Sequence, residues 1–324
     1  MKFFGKAKMR RLAAVLAVGG ALFFGGNAQV SAAPMDNDTW AFREAYTAQV
    51  ADTRVFEQDM TLVAPIFHLD VDSHAQILTD GSFRMGGNFT WTYTNLQKNY
   101  STNNTIPFYI EQIGNEMTLY VQRRGKWSKM MLPGLPSGIA ILWKSTDPTV
   151  RNEIMDAVKK VEVLKDTPDL RIMNVTLDGV KLANILEKNS QATFANLKGD
   201  ALAEQKEMFG RWLAAFKETD ITFAWTVNKP DWKTATASFD LTPIMRAYAI
   251  YVLDESAAGR IVLTDEERDL LDAMGYYAEL HSYTTNLKPS KDNLVNIPSA
   301  LSKAPENDDS LNDVFKEMTT VVKK

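Results

Sequence analysis

Polar and apolar positions change period along this chain, and the changes mark its elements. Phe42, Tyr46 and Val50 recur every four residues, which predicts a helix over Trp40–Thr53 capped by Asp38 or Thr39. From Phe67 the period falls to two: Phe67, Leu69, Val71 and Ala75 alternate with His68, Asp70, Asp72 and His74. Thr79-Asp80-Gly81-Ser82 is turn chemistry, after which Phe89, Trp91 and Tyr93 alternate with threonines. Met117, Leu119 and Val121 repeat the pattern, and Arg124-Gly125-Lys126 turns the chain into Trp127–Leu132. Strands half-buried on one face and joined by short connections predict an antiparallel meander.

The second half mixes periods. Ile154, Ala157, Val158 and Val161 predict a helix, Leu170–Leu177 a strand, and short helices including Lys206–Phe216 follow the Asp178-Gly179 turn. Ile221, Phe223, Trp225 and Val227 alternate, and Asn228-Lys229-Pro230-Asp231 returns the chain through Ala235, Ala237 and Phe239. A helix over Pro243–Asp254 has proline in its first turn, and Thr264-Asp265-Glu266-Glu267 opens another. Tyr276–Leu287 reads as a last strand. Leu311, Val314, Phe315 and Met318 mark an amphipathic tail helix behind the polar linker Lys303–Ser310.

The start of the chain does not belong to this domain. Lys2, Lys6, Lys8, Arg10 and Arg11 precede an apolar run from Leu12 to Phe24, and Val30-Ser31-Ala32 ends in small residues. This is the pattern of a secretory signal peptide cleaved after Ala32, since a cut after Ala33 would leave Pro34 next to the break. The run is too short for a hydrocarbon core that needs about 20 residues. A lipid anchor at this point would require a cysteine, and the 324-residue chain has none. The expected location is the periplasm or the extracellular space, with no transmembrane anchor. The expected organisation is residues 1–32 as signal peptide, 33–302 as one domain with a weak break near 133–138, and 303–324 as linker and tail helix.

Composition narrows the function classes. With 45% hydrophobic and 23% charged residues the chain is of ordinary globular type. Losing residues 1–32 removes five positive charges and takes the net charge from −4 to −9, so electrostatics supply no reason to bind nucleic acid. Without cysteine there is no disulfide framework and no thiolate chemistry. His68, Asp70, Asp72 and His74 are zinc-type ligands on one strand face. Alternate side chains there project in parallel about 6.6 Å apart, so they do not converge without a neighbouring strand. The row reads as a solvated sheet face, and neither a metal site nor another cofactor is predicted. His281 shares a face with Glu279, but no nucleophile elbow or paired-histidine helix accompanies them. Gly86-Gly87 reads as a bulge rather than a phosphate cradle. No catalytic residue is assigned, and the chain is not read as an enzyme.

The large rings carry the functional reading. Phe89, Trp91, Tyr93, Met117, Leu119, Phe223 and Trp225 fall on the apolar side of strands from both halves, where they either fill a core or line a pocket for an apolar ligand. An opening helix, then long antiparallel strands, then a glycine–lysine turn into a tryptophan strand (Leu119-Tyr120-Val121-Gln122-Arg123-Arg124-Gly125-Lys126-Trp127), with a late Asn296-Ile297-Pro298, resembles the periplasmic lipoprotein-carrier superfamily. That group includes LolA-like and LppX-like proteins, and the likeness covers residues 37–300. It implies an α+β fold, a strongly curved antiparallel half-barrel whose concave apolar face is covered by helices and accepts lipid moieties. The expected function is non-covalent binding of a lipid or acylated ligand, with envelope proteins as further partners. The alternative is a structural or interaction protein of the envelope with a solid core.

Overall fold

Alternating burial builds the sheet. In the computed structural model, which describes residues 36–48, 54–64, 67–78, 82–95, 100–113, 116–133, 148–194, 199–263 and 265–307, eleven strands form one antiparallel sheet. The first six are a meander: β1 (Arg54–Ala64), β2 (Phe67–Ile77), β3 (Phe83–Asn95), β4 (Tyr100–Ile113), β5 (Glu116–Arg123) and β6 (Lys126–Pro133). The other five are β7 (Val158–Asp166), β8 (Leu170–Leu177), β9 (Ile221–Asn228), β10 (Thr234–Asp240) and β11 (Glu279–Leu287). Their order is β6-β5-β4-β3-β2-β1-β11-β10-β9-β8-β7, so the β1–β11 pairing joins two meanders and β6 and β7 are the open ends. The sheet is a curved, unclosed half-barrel with helices on its concave side.

Both open edges are blunted, which removes the hazard that free strand edges pose. On β7, the Val163 N–H donates to Asp38 Oδ2 at 3.0 Å. On β6, the Lys129 N–H donates to Pro305 O and the Asn307 N–H to Lys129 O, both at 3.0 Å.

The helices form a layer. α1 (Asn37–Ala48) packs on β7, while α2 (Pro148–Ala157), α3 (Gly179–Phe194), α4 (Gly199–Lys217), α5 (Thr242–Ala257) and α6 (Asp265–Tyr276) pack each on the next. Trp212 of α4 stacks on Tyr248 of α5 at 4.2 Å, and α5 also meets β11. Arg171, nearly buried at the end of β8, ties three elements together. Its guanidinium reaches Asp166 at 3.2 Å, Ala41 O at 3.3 Å and Glu44 at 3.4 Å, and lies 5.2 Å from the Trp232 ring centre. No helix among the described residues is long and apolar enough to cross a membrane.

Several expectations shift. Asp36, not Asp38 or Thr39, caps α1 by accepting from the Thr39 N–H at 2.8 Å, which frees Asp38 for β7. The helix expected through Val161 stops at Ala157, because Val158 onward pairs with β8. Tyr276 ends α6 rather than starting the last strand. β1 and β4 are strands that the alternation does not predict. Gly86 and Gly87 are in regular register with His74 and Ser73, so they form no bulge. The signal peptide, most of the 133–138 break and the tail helix lie outside the described residues. Pro305–Asn307 of the expected linker pair with β6.

Candidate functional site

Register places every sequence-predicted ring position on the concave face. Phe67, Leu69, Val71 and Ala75 of β2 face Tyr93, Trp91, Phe89 and Met85 of β3, and Met85 faces Ile110, which faces Leu119. Met117 pairs with Gln112 opposite Phe83, so it has the same parity. In the other meander Trp225 faces Met173 and Ala237, and Phe223 faces Val175 and Phe239. Tyr93 is placed by backbone register alone.

Trp91, Met117, Leu119, Phe223 and Trp225 are each 3% exposed or less, and Phe89 is half-buried. The rings pack on one another: Phe89 on Phe108 at 4.0 Å and Phe223 on Phe239 at 5.3 Å. Phe42 of α1 meets Trp225 edge-on at 5.5 Å, which fixes this as the helix-covered face.

Polar groups interrupt this apolar surface at its centre. Gln58 of β1 and Ser282 of β11 are each 1% exposed, and their register partners Thr284 and Met60 make them diagonal neighbours across the seam. Trp91 lies two strands away from Gln58 on β3. Trp225 satisfies its indole N–H on Thr234 Oγ1 at 3.0 Å, and Thr284 donates to Ala237 O at 3.3 Å. Gln58 Oε1, Ser282 Oγ and Trp91 Nε1, by contrast, have no hydrogen-bond partner among the described residues. Leaving such an atom buried and unpaired costs about 1–3 kcal/mol. Sequence reading passed over Gln58 and Ser282, because a lone polar residue at an inward position reads as a break in the alternation.

The convex face carries the titratable set. His68, Asp70, Asp72 and His74 share it, as expected of one strand face. His68 Nε2 meets Asp70 Oδ2 at 2.9 Å, and His74 lies 3.9 Å from Glu57. Both pairs are well exposed, and the described residues include no group of three such side chains placed to share a metal ion. His281 sits 3.6 Å from Asp240 and 3.7 Å from Glu279, all three about half exposed. Across the seam, partial desolvation together with the carboxylates of Asp72 and Glu57 pushes the solvent-facing Asp59 carboxyl above its ordinary value, with His74 acting in the opposite sense.

No protein-family model matches this sequence, and no curated protein does. Among solved structures, the chain is similar to the crystal structure of LprF from Mycobacterium bovis. The identity is 10% and the TM-score 0.37, over 83% of this chain and 99% of that one. An overlap this weak carries no argument about function.

Proposed function

We propose that this protein is an exported carrier that binds a lipid or other apolar ligand non-covalently between the concave face of its sheet and the helix layer. The supporting observation is the presence of buried, unpaired polar atoms on Gln58, Ser282 and Trp91 within a largely apolar face. An acyl chain with a polar end suits that surface: the chain is desolvated against the rings at about 0.8 kcal/mol per buried CH₂, while an ester or hydroxyl meets Gln58 and Ser282 at the seam. Trp91, two strands across and four residues along from Gln58 by register, would meet a different part of the ligand. Because the rings are shielded from solvent, loading and release require the helices to move off the sheet. The open half-barrel and the order of elements that resembles the lipoprotein-carrier superfamily agree with this reading.

The same burial favours a second reading, a solid-core envelope protein that acts through its outer face. Organic extraction and mass spectrometry of the protein purified from its native envelope separate the two. Carrier function predicts stoichiometric lipid, and a Gln58→Met protein that folds with a raised melting temperature yet retains less of it. Recovering no lipid, together with no binding of a fluorescent fatty-acid probe, overturns the carrier reading.

A further inference from the structure

The opposite face of the sheet holds a separate cavity of about 460 Å³, within the range of small-molecule sites. Its floor is the convex side of β3 and β4, extended by Trp127 of β6, and its wall is the segment 292–296. That segment belongs to a strap that leaves β11, crosses the outside of the first meander and reaches the β6 edge at Pro305–Asn307.

The wall is clamped rather than draped. The buried side-chain amide of Gln76 pairs with both backbone groups of Val295, accepting from its N–H at 3.0 Å and donating to its C=O at 3.3 Å. Val295 is itself 5% exposed. Asn293 stiffens the turn before it by accepting from the Ser290 N–H at 2.8 Å and donating to Lys288 O at 2.7 Å. The floor is shaped by an absence. A Cβ at position 86 would meet the Tyr109 ring at 2.7 Å, so only glycine lets that ring lie across the neighbouring strand. Tyr109 and Trp127 lie against each other as a tilted aromatic pair, with centroids 5.5 Å apart and planes inclined by 36°.

Around this aromatic pair the polar lining consists of three amides, one imidazole and one carboxylate: Asn88, Asn293, Asn296, His74 and Asp292. Among the described residues no lysine or arginine lines it, which disfavours a phosphate or carboxylate ligand. The tilted aromatic pair offers contact to an apolar surface, while Asn88, Asn296 and Asp292 supply amide and carboxylate donors and acceptors beside it, Asn293 being engaged in the turn. A pyranose ring matches both, having C–H faces and an equatorial belt of hydroxyls. We infer that the cavity between Tyr109, Trp127 and the strap is a binding site for a neutral saccharide, a single sugar or the end of a longer glycan. It stands on the convex side and is independent of whatever occupies the concave one.

The test titrates the full chain with a panel of neutral mono- and disaccharides, with choline chloride and inorganic phosphate alongside, reading tryptophan fluorescence and saturation-transfer NMR. At least one saccharide is expected to saturate below about 10 mM, a range usual for weak small-molecule binding. Asn88→Ala changes an exposed side chain and leaves the sheet intact. It is expected to weaken that binding about tenfold, and Trp127→Ala to abolish it while thermal melting stays cooperative. If Trp127→Ala fails to fold, Gly86→Ala serves in its place, since the added methyl displaces the Tyr109 ring and is expected to reduce affinity. Saturation by choline or phosphate but no saccharide, no binding at all, or saccharide binding unmoved by Asn88→Ala and the ring variants would each overturn the inference.

Discussion

At Asp59 the sheet sets one carboxylate directly across from another, since Asp59 pairs with Asp72 on the convex face and Glu57 stands two residues away on the same side. Partial desolvation of this solvent-facing carboxyl, together with these two neighbours, raises its folded pKa. The folded state therefore holds this proton more tightly than the unfolded chain. The stability gained is complete below the unfolded-state value and is lost as pH rises through the folded one. Asp59→Asn removes a carboxylate that is disfavoured at neutral pH, so it should melt higher than the parent at neutrality, with the gap closing on acidification. Thermal melts of both proteins from neutral to mildly acidic buffer check this; equal melting throughout, or a gap that widens on acidification, would refute it. Asp166 has the opposite sign. Hydrogen bonds from Lys229 and Arg171 hold it below its ordinary value, so what it contributes is present above the unfolded-state value and lost as pH falls through the folded one.

Elements were legible where one period ran unbroken. Strands β2, β3, β5 and β9 follow their alternation, and the β5–β6 turn follows its residues: Arg124 and Gly125 have φ of 47° and 74°, which a glycine in second place makes cheap. β1 is hidden because Gln58 interrupts its inner row and because the helical pattern over Trp40–Thr53 runs up to its start at Arg54. β4 hid behind its polar opening Ser101-Thr102-Asn103-Asn104-Thr105 and behind Pro107, which argues against a central strand. The structure resolves that conflict: β5 pairs with β4 only from Phe108 onward, so Pro107 withholds no N–H from it. The concave rings were readable because parity alone places them. The convex cavity was not, since its wall and floor meet through a contact 219 residues apart in sequence. That contact carries its own expectation. Gln76→Leu keeps the bulk but strips Val295 of both partners, at about 1–3 kcal/mol for the unpaired groups. Exchange of the Val295 amide and proteolysis within 288–298 should both accelerate while β2 and β3 stay protected. An unchanged exchange rate would mean that the strap is held elsewhere.

Across the whole molecule, the seam between β1 and β11 decides whether the two meanders behave as one body. It is the only pairing that joins β1–β6 to β7–β11 among the described strands, and it runs in register from Val55–Leu287 to Val63–Glu279. The inner side of this seam holds Met60 and Phe56, each 1% exposed, beside Gln58 and Ser282. The seam thus combines well-shielded apolar side chains with two of the unpaired atoms assigned to ligand, on Gln58 and Ser282. These make opposite demands on stability. If the core is continuous, opening the seam exposes apolar surface from both halves at once, and the sheet should unfold as a single unit. Hydrogen exchange read by mass spectrometry should then find β1 and β11 the most protected peptides, with protection falling toward β6 and β7. Met60→Ala, which costs about 2–5 kcal/mol at a buried site, should lower protection in both meanders together. Loss confined to β1–β6, with β7–β11 unchanged, would instead show two cooperative units that share only a backbone seam. A ligand bound over Gln58 and Ser282 would then have to act as the clasp between them.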